Sequence, residues 1–417
     1  MKLSLPCPSA GLHLPATFAA LRHSNYRLWF FGQSVSMVGM WMQSVAQGWL
    51  VYDLTGSMFA LGAVSFVGTL PTLFLMLPAG VLADRIPRRR LLLITQTVMM
   101  ILAAVLAVLS GTGVLRVWHI GVLAVVLGVA NSFDAPARQA LVVETVEDRR
   151  DLMNAIALNS TVFNLARVIG PAVGGVVLAL LGPAWCFTLN AIGFGGVLSS
   201  LWRMRLPDHS DPPSSEPLTV QVAAGLKYIA ENRPVRTMIA LIGVSTLFGL
   251  SYGTLLPVYA VDVLHIGETG LGALNAAMGV GALTGSLIIA SLGAFRRRGL
   301  ILTAGSLLFP SALLAFAFSH SFALSLALLV LVGLAFVAQN ATSNTLIQSA
   351  VPDALRGRVM AVFSLMFFGT SPFGALQAGT LAQTLGPTAG VGVGAGIVLV
   401  FAVGVLFAVP SLRRVEG

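Results

Sequence analysis

The chain is a succession of long apolar runs separated by short gaps of charged, polar, glycine or proline residues. A helix that crosses a bilayer needs roughly 20 consecutive apolar residues. Twelve runs meet that length: 28–53, 58–83, 90–110, 117–142, 152–181 and 183–203, then 235–262, 269–293, 299–319, 321–347, 357–385 and 388–410. Backbone N–H and C=O groups cannot go unpaired in hydrocarbon, so each run predicts a helix. Gaps as short as LGP (181–183) and SHS (319–321) leave room only for a turn and predict helical hairpins.

The one long gap, 204–234, divides the runs into six and six. Its first part, LPDHSDPPSSEP (206–217), has the Pro/Ser/acid content of an irregular linker. The following LTVQVAAGLKYIAENR places Val222, Leu226 and Ile229 on one face, predicting a short helix lying at the membrane interface. The expected organisation is therefore a tail (1–27), a six-helix bundle (28–203), a linker (204–234), a second six-helix bundle (235–410) and a short tail (411–417).

Charge gives the runs a direction. With the N-terminus inside, 21 of the 24 Lys and Arg residues fall in inner loops and tails, and only Arg116 falls in an outer loop. The remaining two, Arg138 and Arg167, lie within spans. This asymmetry predicts both termini on the cytoplasmic side of the cell membrane and supports an even number of crossings.

Composition narrows the function classes. With 56% hydrophobic and 9% charged residues, the chain lacks the surface charge of a water-soluble protein. Its net charge of +9 is dispersed among short gaps rather than gathered on one soluble face, which argues against nucleic-acid binding. Two distant cysteines, Cys7 and Cys186, suggest neither a metal site nor a disulfide framework. The N-terminal stretch, with prolines at 6, 8 and 15, makes a poor signal peptide. No G-x-x-x-x-G-K-[ST] loop occurs, and no mid-membrane His/Asp/Glu or Ser/His cluster suggests an enzyme. No cofactor or metal is expected.

The halves repeat. Residues 128–151 align with 333–356, the triplet Arg88–Arg90 with Arg296–Arg298, and GPAVGG (170–175) with SPFGAL (371–376), all at offsets between 201 and 208. Near-equal offsets at corresponding loops predict a duplicated six-helix unit.

Between runs two and three stands GVLADRIPRRR (80–90). Gly80, Leu82, Ala83, Asp84, Arg85, Arg88 and Arg89 fit the loop signature G-x-L-A-D-R-x-G-R-[KR] of the major facilitator superfamily, which this sequence resembles along essentially its whole length. Pro87 replaces the family's glycine and stiffens the turn. The resemblance implies an all-α membrane protein with twelve transmembrane helices in two pseudo-symmetric six-helix bundles. It also implies that this loop is a conformational latch. In that reading Gly80 permits close helix approach, and Asp84 accepts from the N-terminus of span eleven near Gly357. Arg85 belongs to the same cluster, and Arg88 pairs with Asp134 at the inner end of span four. Such contacts would favour the outward-facing state. Plain headgroup anchoring is the competing account of Arg89 and Arg90. Leu292 stands where the second half would need its own acid, so one latch is expected.

ARVIGPAVGG (166–175) resembles the G-P-x-x-G-G motif of the antiporter branches, with Pro171 bending span five and Gly170, Gly174 and Gly175 forming a packing strip. The span-four arginine common among such antiporters is absent, because Ala124 occupies the position four residues before Gly128.

Polar groups within spans supply the candidate site, since they are costly toward lipid. Gln33, Gln43 and Gln47 form a stripe on span one; Asn164 and Arg167 share a face of span five; Tyr252 lies in span seven, and Gln339 and Asn340 in span ten. Arg167 reads either as an anion or coupling site or as a structural partner of Asp134, while Arg138, four residues after Asp134, reads as a local ion pair.

The stretches LRHSNYRLWFFGQ and VAQGWLVYDLTGS are similar to the drug-efflux and enterobactin-exporter-like group of the superfamily. The resemblance implies a monomeric, proton-linked exporter of small amphipathic molecules, in which the halves rock about a central site. A facilitator, importer or lipid flippase of the same fold, and a non-transporting membrane receptor, are the alternatives.

Overall fold

The computed structural model describes residues 16–204, 218–292 and 298–409. The expected tails, the 206–217 linker and Arg296 and Arg297 thus lie wholly or partly outside the described residues.

The described chain is helical throughout. The first bundle comprises α1 (Ser24–Thr55), α2 (Met58–Arg85), α3 (Arg88–Gly111), α4 (Val117–Glu144), α5 (Leu152–Leu181) and α6 (Pro183–Arg203). A connecting helix, α7 (Leu218–Glu231), leads to the second bundle. That bundle holds α8 (Arg233–Val263), α9 (Gly267–Ser291), α10 (Arg298–Ala317), α11 (Phe322–Ala350), α12 (Asp353–Gly369), α13 (Ser371–Leu385) and α14 (Pro387–Ala408). The run expected at 357–385 is two helices in series, α12 and α13, meeting at Thr370. Among the described residues, eleven helical segments are long and apolar enough to span a membrane; α1 has comparable length but carries the amide stripe. Large side chains such as Phe74, Trp202, Val400 and Phe407 are exposed around the perimeter, as a lipid-facing surface requires.

Local chemistry sets the turns. Gly56 closes α1 in a left-handed conformation (φ 58°), its N–H donating to the Tyr52 carbonyl, and the Ser57 hydroxyl accepts from Ala60 N–H to start α2. The α5–α6 and α13–α14 hairpins use the same device. Gly182 (φ 85°, ψ 173°) and Gly386 (φ 88°, ψ 161°) each precede a proline at the first helical position. These turns stand 204 residues apart, at the offset of the sequence repeat.

α8 is irregular at its centre. It passes through a π-turn at Ser245–Gly249, a 3-10 stretch at Leu250–Leu255 and a second π-turn at Tyr259–Val263. Such departures re-aim side chains and recur at functional sites.

The hydrophobic core divides unequally. At the end of the molecule away from the termini, one cluster combines first-bundle residues such as Leu50, Leu61 and Leu178 with second-bundle residues such as Leu255, Leu274 and Ala378. At the terminal end each bundle has its own cluster, one around Trp29, Leu92 and Leu201 and the other around Val235, Ile347 and Val359. Among the described residues, the apolar cluster shared by the two bundles lies at the far end.

Glycines let the bundles approach closely. A Cβ on Gly62 of α2 would lie 2.6 Å from the Ala375 carbonyl oxygen of α13, and one on Gly379 would lie 2.6 Å from the Met58 carbonyl oxygen. Across α5 and α9, Gly175 faces Gly272 and Gly279 faces Arg167 in the same way. Pro171 lacks the N–H that would bond the Arg167 carbonyl. That carbonyl abuts Gly279, 2.7 Å from where its Cβ would stand.

The apolar face expected on α7 is only partly used. Ile229 is buried, Leu226 is exposed, and Val222 has a side chain outside the described residues. α7 packs on α12, where a Cβ on Gly225 would lie 2.9 Å from the Arg358 carbonyl oxygen.

Candidate functional site

A cavity of about 420 Å³ lies between the bundles, and Val51, Leu61 and Leu271 of the far-end core are among its lining residues. α1 contributes Gln43, Ser44 and Gln47; α2 Ser65 and Thr69; α4 Asn131; α6 Asn190; α8 Thr254; and α9 Asn275. Apolar walls come from Val51, Leu61, Met99, Leu127, Phe194, Pro257 and Leu271. Such a site has apolar walls, scattered amides and hydroxyls, and no carboxylate or cation among its lining residues. This is the chemistry of a pocket for a partly apolar molecule.

Local geometry explains why these residues face inward. Gly68 and Gly128 bring α2 and α4 together, a Cβ on Gly128 falling 2.0 Å from the Gly68 carbonyl oxygen, which turns Ser65, Thr69 and Asn131 toward the same space. Asn190 donates to Gln43 Oε1 at 2.6 Å and fixes the Gln43 amide at the wall.

Only Gln43 and Gln47 of the eight expected cavity residues line this space. Gln33 is buried within the first bundle. Gln339 is fully buried, its Nε2 donating to the Ser245 hydroxyl at 3.0 Å, so it ties α11 to α8. Asn340 is half-buried and Asn164 donates to the Ser160 carbonyl at 2.9 Å, neither on the cavity wall. Tyr252 is buried beside the cavity residues Gly253 and Thr254 rather than on the wall itself. For Gln339 and Asn164 the physical reason is that an amide satisfied within one bundle lowers the same desolvation cost as one facing a cavity, and spacing does not distinguish the two. Sequence reasoning missed Ser44, Ser65, Thr69, Asn131, Asn190, Thr254 and Asn275, polar residues scattered singly or in short groups through apolar stretches.

Arg167 does not pair with Asp134. Its guanidinium stands 5.8 Å from the Trp41 ring centroid and 3.7 Å from the Met278 sulfur, within electrostatic reach of Tyr252. Asp134 instead binds Arg138 four residues on, and accepts from Thr95 Oγ1 at 2.9 Å and Gln96 Nε2 at 2.8 Å.

The expected Arg88–Asp134 pair is likewise replaced: Arg88 bonds Glu144, the last residue of α4. Ten residues separate Asp134 from Glu144, and Arg88, at the first position of α3, stands level with the latter. Gly80 meets no neighbour within 4 Å of where a Cβ would stand, so no helix approaches it closely here. The side chains of Asp84 and Arg85 lie outside the described residues. Arg89, for which headgroup anchoring was a competing account, donates to the carbonyls of Leu201 and Trp202 and caps α6.

The G-P-x-x-G-G strip serves two neighbours rather than one. Gly170 and Gly174 admit α1, with would-be Cβ distances of 2.5 Å to Trp41 Cβ and 3.0 Å to Met42 Cα. Gly175 and the Pro171 carbonyl admit α9 of the other bundle.

Solved structures share this architecture. A POT family transporter in complex with 5-aminolevulinic acid superposes with a TM-score of 0.74 at 14% identity, covering 93% of this chain and 96% of that one. A bacterial homolog of the human lysosomal transporter Spinster, in an inward-facing and unoccupied conformation, gives 0.69 at 12% identity, covering 96% of each. Two helical bundles around a central cavity make this a multi-pass membrane transporter of the major facilitator fold, not an enzyme. A family model described as "Transmembrane secretion effector" matches residues 15–416, and the chain belongs to that family. Similar proteins include the multidrug efflux pump Tap of Mycolicibacterium fortuitum, 28% identical over 82% of this chain and 85% of that protein. The staphyloferrin A transporter of Staphylococcus aureus is 28% identical over 86% and 90%. The enterobactin exporter EntS of Citrobacter koseri is 29% identical over 91% and 90%.

Proposed function

We propose that this chain exports small amphipathic molecules, of the drug or siderophore class, from the cytoplasm by proton antiport. The observation that carries the reading is the cavity. It is walled by both bundles and mixes amides with apolar surface, so that rocking of one bundle against the other would change the side to which it opens. The efflux and export roles named for Tap and EntS support the direction, and the staphyloferrin A transporter supports the substrate class.

In this reading both termini face the cytoplasm, and the structure is the inward-facing member of the cycle. Rocking would separate Gly62 from Gly379 and Gly175 from Gly272, and bring the Gly80–Arg88 loop against α12. Asp84 would then engage the α12 N-terminus, which begins at Asp353, four residues before the expected Gly357. A monomer suffices, because the cavity is completed within one chain. Protons are the natural driving ion for a cell-membrane exporter whose sequence has no nucleotide-binding loop.

The test is efflux from a susceptible host and uptake into everted vesicles across a panel of drugs and siderophores, with and without an imposed proton gradient. Accumulation that collapses when the gradient is discharged supports antiport. Equilibration without accumulation for every compound would establish a facilitator instead.

A further inference from the structure

Arg167 is a cation at the middle of α5 with no carboxylate partner among the described residues. A charge at that depth is costly unless something of opposite sign completes it. Its surroundings add donors rather than acceptors. The Trp41 indole Nε1 and the Tyr252 hydroxyl are both buried without a hydrogen-bond partner. An indole can only donate, a guanidinium offers five N–H groups and no acceptor, and a phenol retains its proton to give. The nearest heteroatom on the guanidinium is the Met278 sulfur, a weak acceptor.

Arg167 stands beside the α5–α9 contact, its own carbonyl 2.7 Å from where a Cβ on Gly279 would lie. Beyond it toward the terminal end, α5 carries Asn164, half-buried, and Ser160, exposed, on the same face.

We infer that Arg167, Tyr252 and Trp41 form a receptor for a carboxylate, or an equivalent singly charged oxygen anion, on the transported molecule. The planar guanidinium suits bidentate recognition of such a group, and the flanking aromatic rings suit the apolar body attached to it. The site gathers α1 and α5 of one bundle with α8 and α9 of the other, so an anion held there engages both halves at once. The inference rests on the transport reading and specifies its substrate class.

The experiment uses the full chain in lipid nanodiscs and a matched pair of probes, 4-phenylbutyrate and 4-phenylbutyramide, followed by tryptophan fluorescence. The native protein is expected to prefer the carboxylate by about tenfold or more, the worth of a charge-assisted hydrogen-bond pair. Arg167→Gln should abolish the preference, Arg167→Lys should keep part of it, and Tyr252→Phe should reduce it severalfold while leaving the charge in place. Thermal unfolding of each variant identifies any that fails to fold, and Tyr252→Phe then carries the test. A native carboxylate-to-amide ratio below about twofold, or one unchanged in the folded variants, overturns the site. Carboxylate preference with no energised transport would leave the site standing and remove the export reading; export of neutral compounds with no such preference would do the reverse.

Discussion

Gly175 and Gly272 face each other across the two bundles so closely that a Cβ on Gly175 would lie 2.8 Å from the Gly272 Cα. Neither position can carry a side chain without pushing α5 and α9 apart. Gly272→Val is expected to prevent the far end from closing, because its methyls would meet the Pro171 carbonyl, 2.6 Å from the would-be Cβ. The check is disulfide formation between cysteines introduced at Ser57 and Gln383, which should fall by about tenfold for a shift of ~1.4 kcal/mol in the closing equilibrium.

The far end is also held by polar contacts between bundles. Tyr52 donates its hydroxyl to Asp262, and Gln383 Oε1 accepts from the Ser57 hydroxyl at 3.1 Å and from Met58 N–H at 2.9 Å. The second bundle thus caps the first turn of α2. Tyr52→Phe with Gln383→Ala should favour far-end opening by ~1.5–4.5 kcal/mol, the sum expected of these three bonds. Reagent labelling of a cysteine at Gln47 from the far side should rise accordingly.

Asp134 is fully buried and bound by Arg138, Thr95 and Gln96. Removing one charge of such a pair leaves the other stranded, at a cost of about 3–5 kcal/mol. Asp134→Ala should lower the thermal midpoint markedly, and Asp134→Asn with Arg138→Gln should recover much of the loss.

The glutamines separate by the same measurement. Gln47 lines the cavity, whereas Gln339 is bonded inside the second bundle. Gln47→Leu is expected to alter the range of compounds exported while leaving the thermal midpoint unchanged. Gln339→Leu should destabilise by ~1–3 kcal/mol, because the Ser245 hydroxyl loses its partner in a buried setting.

Loop residues give a fourth contrast. Glu144 pairs with Arg88 at a partly buried site within one bundle, so Glu144→Gln should reduce stability modestly and leave transport mostly intact. Asp84→Asn, if that carboxylate meets α12 only when the terminal ends close, should lose transport with little effect on stability. Paired transport and unfolding assays distinguish them.

The sequence by itself determined the all-helical membrane fold. Hydrocarbon forces every apolar run of that length into a helix, and glycine–proline pairs at 182–183 and 386–387 force the turns. It also singled out Arg167, because a charge amid apolar residues is conspicuous in any alignment-free reading. Partners were another matter. Arg88 meets Glu144 and not Asp134, Gln339 bridges α8 and α11 while Gln47 faces open space, and Gly80 meets nothing while Gly175 meets Gly272. Helical periodicity fixes which side chains share a face, but not which neighbour that face finds; the crossing of helices distant in sequence decides that, and only the tertiary structure supplies it.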